Sequence, residues 1–122
     1  MSRKIFIIDD SSVVIMSLRQ ILEMEGFSVE SAKDGLEAYT RIKKGYKPDL
    51  VITDVNMPNM DGLEFIKNAR TILKFTPILV LTTESTSSKR EEAKSLGATG
   101  WLVKPVEGPA LLKVIKQVLP GV

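Results

Sequence analysis

Four short apolar runs in this chain each end at polar residues that could carry chemistry. The runs span 4–8, 50–53, 78–81 and 100–103, and the polar residues at their ends are Asp9 with Asp10, Asp54, Thr82 and Lys104. Runs that are apolar throughout are typical of buried parallel strands, and the carboxyl ends of such strands meet along one edge of an open sheet, where these folds bind ligands. The sequence therefore predicts a cleft that contains three carboxylates, a hydroxyl and a lysine.

The charge balance of this cleft predicts a bound cation. Carboxylates about 4 Å apart repel one another by several kcal/mol even at an effective dielectric constant of about 20, and one lysine cannot neutralise three of them. A hard divalent ion on oxygen ligands would relieve the repulsion, and Mg²⁺ is the ion that keeps some waters and also contacts phosphate. We therefore expect a magnesium site.

Composition narrows the class of protein further. The chain has 122 residues, enough for one real core, and we expect residues 1–122 to form a single domain. Its net charge of +2 is too small for an extended nucleic-acid surface. It lacks cysteine, which excludes disulfides, and histidine, which excludes the usual general base. No apolar stretch is long enough to span a membrane, so a soluble cytoplasmic protein is expected.

Strand and helix patterns alternate five times along the chain. A helix is expected from about Ser12 to Glu25, followed by Gly26 as a left-handed cap and by a weaker strand at 27–31. The last helix is expected after Lys104-Pro105. Apolar strands that alternate with helices predict an α/β fold whose parallel sheet is covered on both faces through right-handed crossovers.

Capping signals mark the starts of two further helices. Asp34 and Asp61 each precede a glutamate by three residues, the spacing of a capping box. Four apolar residues recur at helical spacing after the second signal: Leu63, Ile66, Ala69 and Leu73. The fourth helix, expected within 85–96 and ended by Gly97, has few apolar residues, so we expect it to bury little and to move at low cost.

At these residues the chain closely resembles the receiver domain of bacterial two-component response regulators, above all the stand-alone chemotaxis regulators of the CheY type. The most specific part of the resemblance is the run Asp54-Val55-Asn56-Met57-Pro58-Asn59-Met60-Asp61-Gly62. The resemblance spans essentially the whole chain. It implies a flavodoxin-like (CheY-like) three-layer sandwich, with a five-stranded parallel sheet of order 2-1-3-4-5 and five helices.

The resemblance also implies roles for the polar residues. Asp54 would accept a phosphoryl group from a histidine kinase, and Thr82 and Lys104 would contact that group. The magnesium ligands would be Asp10, Asp54 and the backbone carbonyl of Asn56, with Asp9 acting largely through water. The product would be an acyl phosphate that the protein both forms and loses by itself, so we expect a phosphoacceptor signalling protein and not an enzyme.

Further residues would govern the switch and the lifetime of the phosphoryl group. Thr82 would move towards the new group and Trp101, which we expect to be partly core, would respond. The family commonly has Tyr or Phe at this position, so tryptophan is a departure. Asn56 and Glu84 would flank the path of the attacking water, and Thr83 stands where the family usually has a smaller residue. We expect its side chain to slow the loss of phosphate.

The resemblance implies protein partners and leaves their identity open. The partner surface would comprise the fourth helix, the fifth strand and the fifth helix, and the partner could be the flagellar motor switch. A phosphatase is a further candidate partner, and the chain is expected to be a monomer that binds neither nucleic acid nor membrane. A phosphorelay or another stand-alone receiver role outside chemotaxis is the alternative.

The same residues also have other interpretations. Taken singly, an Asp pair is more often a turn or a helix cap, a strand threonine fills a β-branched position, and a lysine extends to solvent. A phosphatase of the haloacid dehalogenase type needs an aspartate as general acid two residues after the nucleophile, where this chain has Asn56. A flavodoxin-like electron carrier is disfavoured because Asp9 and Asp10 would repel the flavin phosphate.

Overall fold

The computed structural model describes residues 3–119 and 121, and strands and helices alternate along them. The strands are β1 (Lys4–Ile8), β2 (Ser28–Ala32), β3 (Leu50–Thr53), β4 (Ile78–Thr82) and β5 (Gly100–Val103). The helices are α1 (Ser12–Met24), α2 (Gly35–Lys43), α3 (Gly62–Ala69), α4 (Ser87–Leu96) and α5 (Gly108–Val118). All strand pairs are parallel, and the order is β2-β1-β3-β4-β5. The predicted fold class and strand order are confirmed.

The sheet separates two hydrophobic cores, because successive side chains of a strand point to opposite faces. Phe6 and Ile8 of β1 pack in the core that α2, α3 and α4 cover. Ile5 and Ile7 of the same strand pack in the core that α1 and α5 cover. All four residues are fully buried, so the strand is apolar on both faces and the domain has three layers.

Element boundaries agree with the sequence patterns to within one residue at most places. The first helix ends at Met24 instead of Glu25, and Gly26 has the expected positive φ of 91°. The second strand begins at Ser28, one residue later than expected, because Ser28 is the residue that pairs with Lys4 of β1. Such shifts at the ends of elements are ordinary.

The third helix is shorter than its apolar spacing predicted. It ends at Ala69, and Leu73 lies in the turn that follows, although its side chain is buried. The physical reason is Arg70, whose guanidinium donates hydrogen bonds to the carbonyls of Leu73 and Thr76 and so stabilises a turn in place of further helix. Leu73 therefore reaches the core without being helical.

Side-chain caps begin α2 and α3 as predicted, with one difference. The carboxylates of Asp34 and Asp61 accept hydrogen bonds from the backbone N–H groups three residues later, both at 2.8 Å. The carboxylate of Glu37 accepts from the N–H of Lys33 at 2.8 Å, one residue before the position that a capping box requires. The carboxylate of Glu37 thus binds the loop before α2, and not the N-cap residue itself.

Helix α4 buries little of its surface, as expected. Ala93 is buried, whereas the other residues of the helix are exposed or half-buried. Gly97 ends the helix with a φ of 113°, and its carbonyl accepts two hydrogen bonds from Arg70, at 3.1 and 2.8 Å. Burial lowers the pKa of Arg70. These hydrogen bonds therefore hold the carboxyl end of α4 against the turn after α3.

None of the helices within residues 3–119 has both the length and the apolar character that crossing a bilayer requires.

Candidate functional site

The ends of four strands bring the predicted site residues to one edge of the sheet. Asp9 and Asp54 directly follow β1 and β3, and the last residues of these neighbouring strands, Ile8 and Thr53, are register partners. Thr82 ends β4 and is the register partner of Val103, the residue before Lys104. The structure therefore places at the carboxyl edge the residues that the strand patterns predicted there.

Lys104 joins two of the three acids in a partly buried network. Its Nζ lies 2.7 Å from Oδ2 of Asp9 and 3.1 Å from Oδ2 of Asp54, and the exposed fractions of the three side chains are 17%, 4% and 11% respectively. Burial acts to lower the pKa of Lys104, but the hydrogen bonds and charges of Asp9 and Asp54 outweigh burial and raise it. Lys104 is therefore a cation at neutral pH.

Three carboxylates form a group that could hold a metal ion. One oxygen each from Asp9, Asp10 and Asp54 lies within 4.8 Å of the others. Asp9 and Asp54 are buried, whereas Asp10 is exposed and open to solvent. An all-oxygen set of this charge fits a hard cation that keeps several water ligands, which is the preference of Mg²⁺. The resemblance to receiver domains implies a magnesium site at the same residues.

The two oxygens of Asp9 are already engaged within the protein. Oδ2 binds Lys104, and Oδ1 accepts a hydrogen bond from the backbone N–H of Ser11 at 2.9 Å. Both bonds fix the carboxylate in place. Asp10, by contrast, is exposed to solvent. The expected action of Asp9 on a cation through water remains a prediction.

The backbone around Asp54 is tightly packed. Oδ1 of Asp54 accepts from the N–H of Val55 at 2.6 Å, and the Asp54 N–H donates to the carbonyl of Ile8 at 2.9 Å. Gly62, the first residue of α3, lies against the Asp54 carbonyl, where a Cβ atom would overlap the oxygen. The start of α3 therefore helps to determine where the Asp54 side chain lies.

Thr82 is fully buried and its hydroxyl is used within its own loop. Oγ1 accepts a hydrogen bond from the N–H of Glu84 at 3.2 Å, and the Glu84 carboxylate accepts from the N–H of Thr86 at 3.3 Å. Thr86 is the N-cap residue of α4. A chain of two hydrogen bonds thus connects Thr82 to the start of the least buried helix.

The residues expected to tune loss of phosphate border the edge of the site. Asn56 lies two residues after Asp54 in the loop between β3 and α3 and is exposed, as is Thr83. Glu84 is half-buried. The roles of these three residues remain predictions.

Trp101 lies on the same face of the sheet as Thr82. It pairs with Val80, two residues before Thr82 on the neighbouring strand, and side chains two apart on a strand share a face. Its ring is half-buried against the core that contains Val80, as expected for a partly core residue. Among residues 3–119 and 121, no group accepts a hydrogen bond from its buried Nε1.

A side-chain contact that the sequence patterns did not predict adjoins the site. Nδ2 of Asn59 donates to Oδ2 of Asp34 at 2.7 Å, which joins the loop after β3 to the start of α2. The only sequence signal was the position of Asn59 in a turn, since asparagine tolerates the left-handed conformation that it adopts here, with φ of 69°. Nothing in the spacing identified Asp34 as its partner.

Comparisons with known proteins agree with this geometry. The chain matches the family described as "Response regulator receiver domain" over residues 5–116. The structure of chemotaxis protein CheY4 from Vibrio cholerae is 45% identical with a TM-score of 0.91, covering 98% of this chain and 100% of that chain. A CheY-like receiver domain protein from Methanospirillum hungatei JF-1 is 28% identical, with a TM-score of 0.93 and coverage of 98% and 94%.

Curated relatives include longer proteins. Response regulator MprA from Mycobacterium bovis (strain BCG / Pasteur 1173P2) is 40% identical over 119 residues, which are 98% of this chain and 51% of that protein. The chain thus spans about half the length of the curated relatives it matches.

Receiver domains partner with histidine kinases and are phosphoacceptor signalling modules, not true enzymes. The family match covers most of the chain, and the chain belongs to the response regulator receiver domain family.

Proposed function

We propose that this protein is a phosphorylation-activated switch in which Asp54 accepts a phosphoryl group from the phosphohistidine of a histidine kinase. The observation that carries the proposal is the partly buried contact of Lys104 with Asp9 and Asp54, beside the carboxylate of Asp10. It supports the proposal because three carboxylates and an ammonium group lie together at the edge where parallel sheets bind ligands, as a nucleophile, a cation and magnesium ligands would need to. We further propose that residues 1–122 act as one receiver domain.

Phosphoryl transfer to Asp54 requires the protein mainly to position the reacting groups and to neutralise their charge. A carboxylate oxygen of Asp54 attacks phosphorus, an O–P bond forms as the N–P bond of the phosphohistidine breaks, and the electron pair of that bond returns to the imidazole. The ammonium group of Lys104 lies beside Asp54. It would donate a hydrogen bond to a phosphoryl oxygen through one of its three N–H groups. When bound, Mg²⁺ would offset the charge of the phosphoryl oxygens and of the acids.

Magnesium would be held by the acids that the structure brings together. Asp10 and Asp54 would ligate it directly with the backbone carbonyl of Asn56, and Asp9 would act through water. Support comes from the exposure of Asp10 and from the proximity of its carboxylate to those of Asp9 and Asp54.

The switch would begin at Thr82. To donate to a phosphoryl oxygen, its hydroxyl must turn from the N–H of Glu84 towards the site, which leaves that N–H free to find another acceptor. The contact of Glu84 with Thr86 would then change, and α4, whose buried residue is Ala93, could shift. Trp101 lies on the same face of the sheet as Thr82, on the neighbouring strand, and would respond to this movement. A few kcal/mol of differential contact is enough to shift such an equilibrium.

We propose chemotaxis as the pathway, with the flagellar motor switch as the partner of α4, β5 and α5. Support comes from the similarity to CheY4, which is matched along its whole length. The alternative is a phosphorelay or another receiver role, and the similarity to half of MprA favours it. A phosphatase partner would act at the same edge, beside Asn56 and Glu84.

Phosphorylation can be tested directly by intact mass. Incubation with acetyl phosphate and magnesium should add one phosphoryl group to the parent and none to Asp54→Asn. Asp61→Asn is a matched control, because it makes the same substitution in the same loop at a helix cap, and it should still be phosphorylated. A parent that gains no mass, or an Asp54→Asn variant that gains as much as the parent, would overturn the proposal.

The pathway needs a separate binding experiment. Purified motor-switch protein should bind the parent more tightly in the presence of beryllofluoride, a stable phosphoryl mimic, than in its absence. Asp54→Asn should show no such difference. Equal binding in both conditions, together with normal phosphorylation, would favour the alternative outside chemotaxis.

A further inference from the structure

The side chain of Asp34 connects two elements that border the phosphorylation site. One oxygen, Oδ1, accepts from the N–H of Glu37 at 2.8 Å and caps α2. The other, Oδ2, accepts from Nδ2 of Asn59 at 2.7 Å, and Asn59 lies in the loop between β3 and α3. Both oxygens are therefore used, each for a different element.

The loop at Asn59 has a backbone conformation that needs support. Its φ is 69°, and the N–H of Met60 donates to the carbonyl of Pro58 at 2.7 Å across it. A three-residue turn of this hand is rare and strained. A non-glycine residue held in such a turn persists only where its surroundings stabilise it, and the bond to Asp34 supplies part of that stabilisation.

Two backbone contacts hold the same loop on either side of the turn. The N–H of Gly35 donates to the carbonyl of Met60 at 3.0 Å, so α2 begins directly against the loop. The N–H of Gly62 donates to the carbonyl of Val55 at 2.8 Å and closes the loop back onto its second residue. Asn56 lies between these fixed points, so the position of its carbonyl depends on how the turn at Asn59 is held.

We propose that Asp34 is a positioning residue for the magnesium site, acting through Asn59 on the loop that carries Asn56. This inference rests on the proposed function, because it takes the Asn56 carbonyl as a ligand. Hydrogen bonds from the backbone of Glu37 and from Asn59 lower the pKa of Asp34. Asp34 is therefore ionised at neutral pH and accepts both bonds as a carboxylate.

The hydrogen bond and the charge of Asp34 can be separated with three variants. Asp34→Ser keeps a helix cap but is too short to reach Asn59, so it loses both the bond and the charge. Asn59→Ala keeps the charge of Asp34 and a side chain at the positive φ, so the turn loses the bond while it still needs support. Glu37→Gln is the matched control, because it removes a carboxylate charge from the same turn of α2 and leaves the contact of Asp34 with Asn59 in place.

Calorimetric titration with Mg²⁺ alone measures the expected effect without any phosphoryl transfer. Asp34→Ser and Asn59→Ala should each weaken binding about tenfold, the lower end of what residues that orient metal ligands contribute. The double variant should bind Mg²⁺ no more weakly than the weaker-binding single variant, because both substitutions remove the same contact between positions 34 and 59. Glu37→Gln should bind within about twofold of the parent. At saturating Mg²⁺, phosphorylation by acetyl phosphate should recover in all variants.

The outcomes distinguish this inference from the proposed function. Parent-like Mg²⁺ affinity in Asn59→Ala, with a parent-like urea midpoint that shows it is folded, overturns the positioning role. Equal weakening in Glu37→Gln and Asp34→Ser also overturns it, because charge alone would then account for the effect. Failure of the parent to be phosphorylated while it binds Mg²⁺ overturns the proposed function and leaves the positioning role supported if the variants still differ.

Discussion

Nζ of Lys104 lies 3.1 Å from Oδ2 of Asp54, although 50 positions separate the two residues in the chain. The same ammonium group lies 2.7 Å from Asp9. Lys104 is therefore the fixed cation of the acidic cleft, and a magnesium ion would add to its charge. The two cations would repel each other while both are attracted to the acids.

Removal of this cation should therefore strengthen metal binding and weaken phosphorylation. We expect Lys104→Met to bind Mg²⁺ about three- to tenfold more tightly, equivalent to about 0.7 to 1.4 kcal/mol, because a positive charge beside the site is lost. Its phosphorylation by acetyl phosphate should slow by at least about tenfold, because a phosphoryl oxygen loses its donor. Calorimetry and mass measurement test the two effects. Weaker magnesium binding would contradict this account of the charge balance.

The hydroxyl of Thr82 should matter for the response and little for the chemical step. We expect Thr82→Val to accept the phosphoryl group at a rate within about tenfold of the parent. In the parent, beryllofluoride should change the fluorescence of Trp101, and in Thr82→Val this change should be lost. The variant should also be about 1 kcal/mol less stable, because the N–H of Glu84 loses its acceptor. Thr82→Ser, which keeps a hydroxyl, should restore the fluorescence change. A full response in Thr82→Val would exclude the hydroxyl from the switch.

The branched side chain of Thr83 should lengthen the life of the phosphoryl group. Thr83 is exposed and follows the buried Thr82 directly in the chain. We expect Thr83→Ala to lose phosphate faster than the parent, because a smaller side chain crowds the water less. Timed release of radiolabelled phosphate measures both rates, and equal or slower release from the variant would refute the idea.

Two glycines at equivalent helix positions should respond oppositely to the same substitution. Gly62 and Gly108 are the first residues of α3 and α5. A Cβ at Gly62 would overlap the carbonyl oxygen of Asp54, whereas one at Gly108 would lie 3.6 Å from Ile21, an ordinary contact. We expect Gly62→Ala to cost about 2 to 3 kcal/mol and Gly108→Ala to be neutral or stabilising by up to about 1 kcal/mol. Urea denaturation measures the free energy of unfolding of both variants. A comparable loss in both would show that helix position determines the outcome, and not contact with Asp54.

Arg70 should control the stability of the carboxyl end of α4. Its guanidinium binds the carbonyls of Gly97, Leu73 and Thr76. We expect Arg70→Met to lower the free energy of unfolding by about 2 to 3 kcal/mol and to speed hydrogen exchange in α4, because three carbonyls lose a charged donor.

An arginine on α4 itself supplies the control for this prediction. Arg90 is exposed, and Arg90→Met should change stability by no more than about 0.5 kcal/mol. In the parent, α4 should already exchange faster than α1, because Ala93 is its buried residue while α1 buries Ile15, Leu18 and Leu22. Exchange in α4 as slow as in α1 would contradict the view that this helix moves at low cost.

The sequence by itself determined the fold class and the membership of the cleft. Apolar strands that alternate with amphipathic helices allow few arrangements other than a parallel sheet with both faces covered. In such a sheet the residues that follow the strands must share one edge, so Asp9, Asp54 and Lys104 could be placed together from spacing alone. The strand order was inferred from the family resemblance.

Tertiary structure decided the details that depend on contacts between distant residues. The end of α3 at Ala69 depends on Arg70, whose acceptors include Gly97, 27 positions away. The contact of Asp34 with Asn59 joins residues 25 positions apart, and no periodic pattern specifies it. Local propensities and spacing report how a segment folds and which face it buries, but a hydrogen bond between two loops exists only once the sheet has brought them side by side.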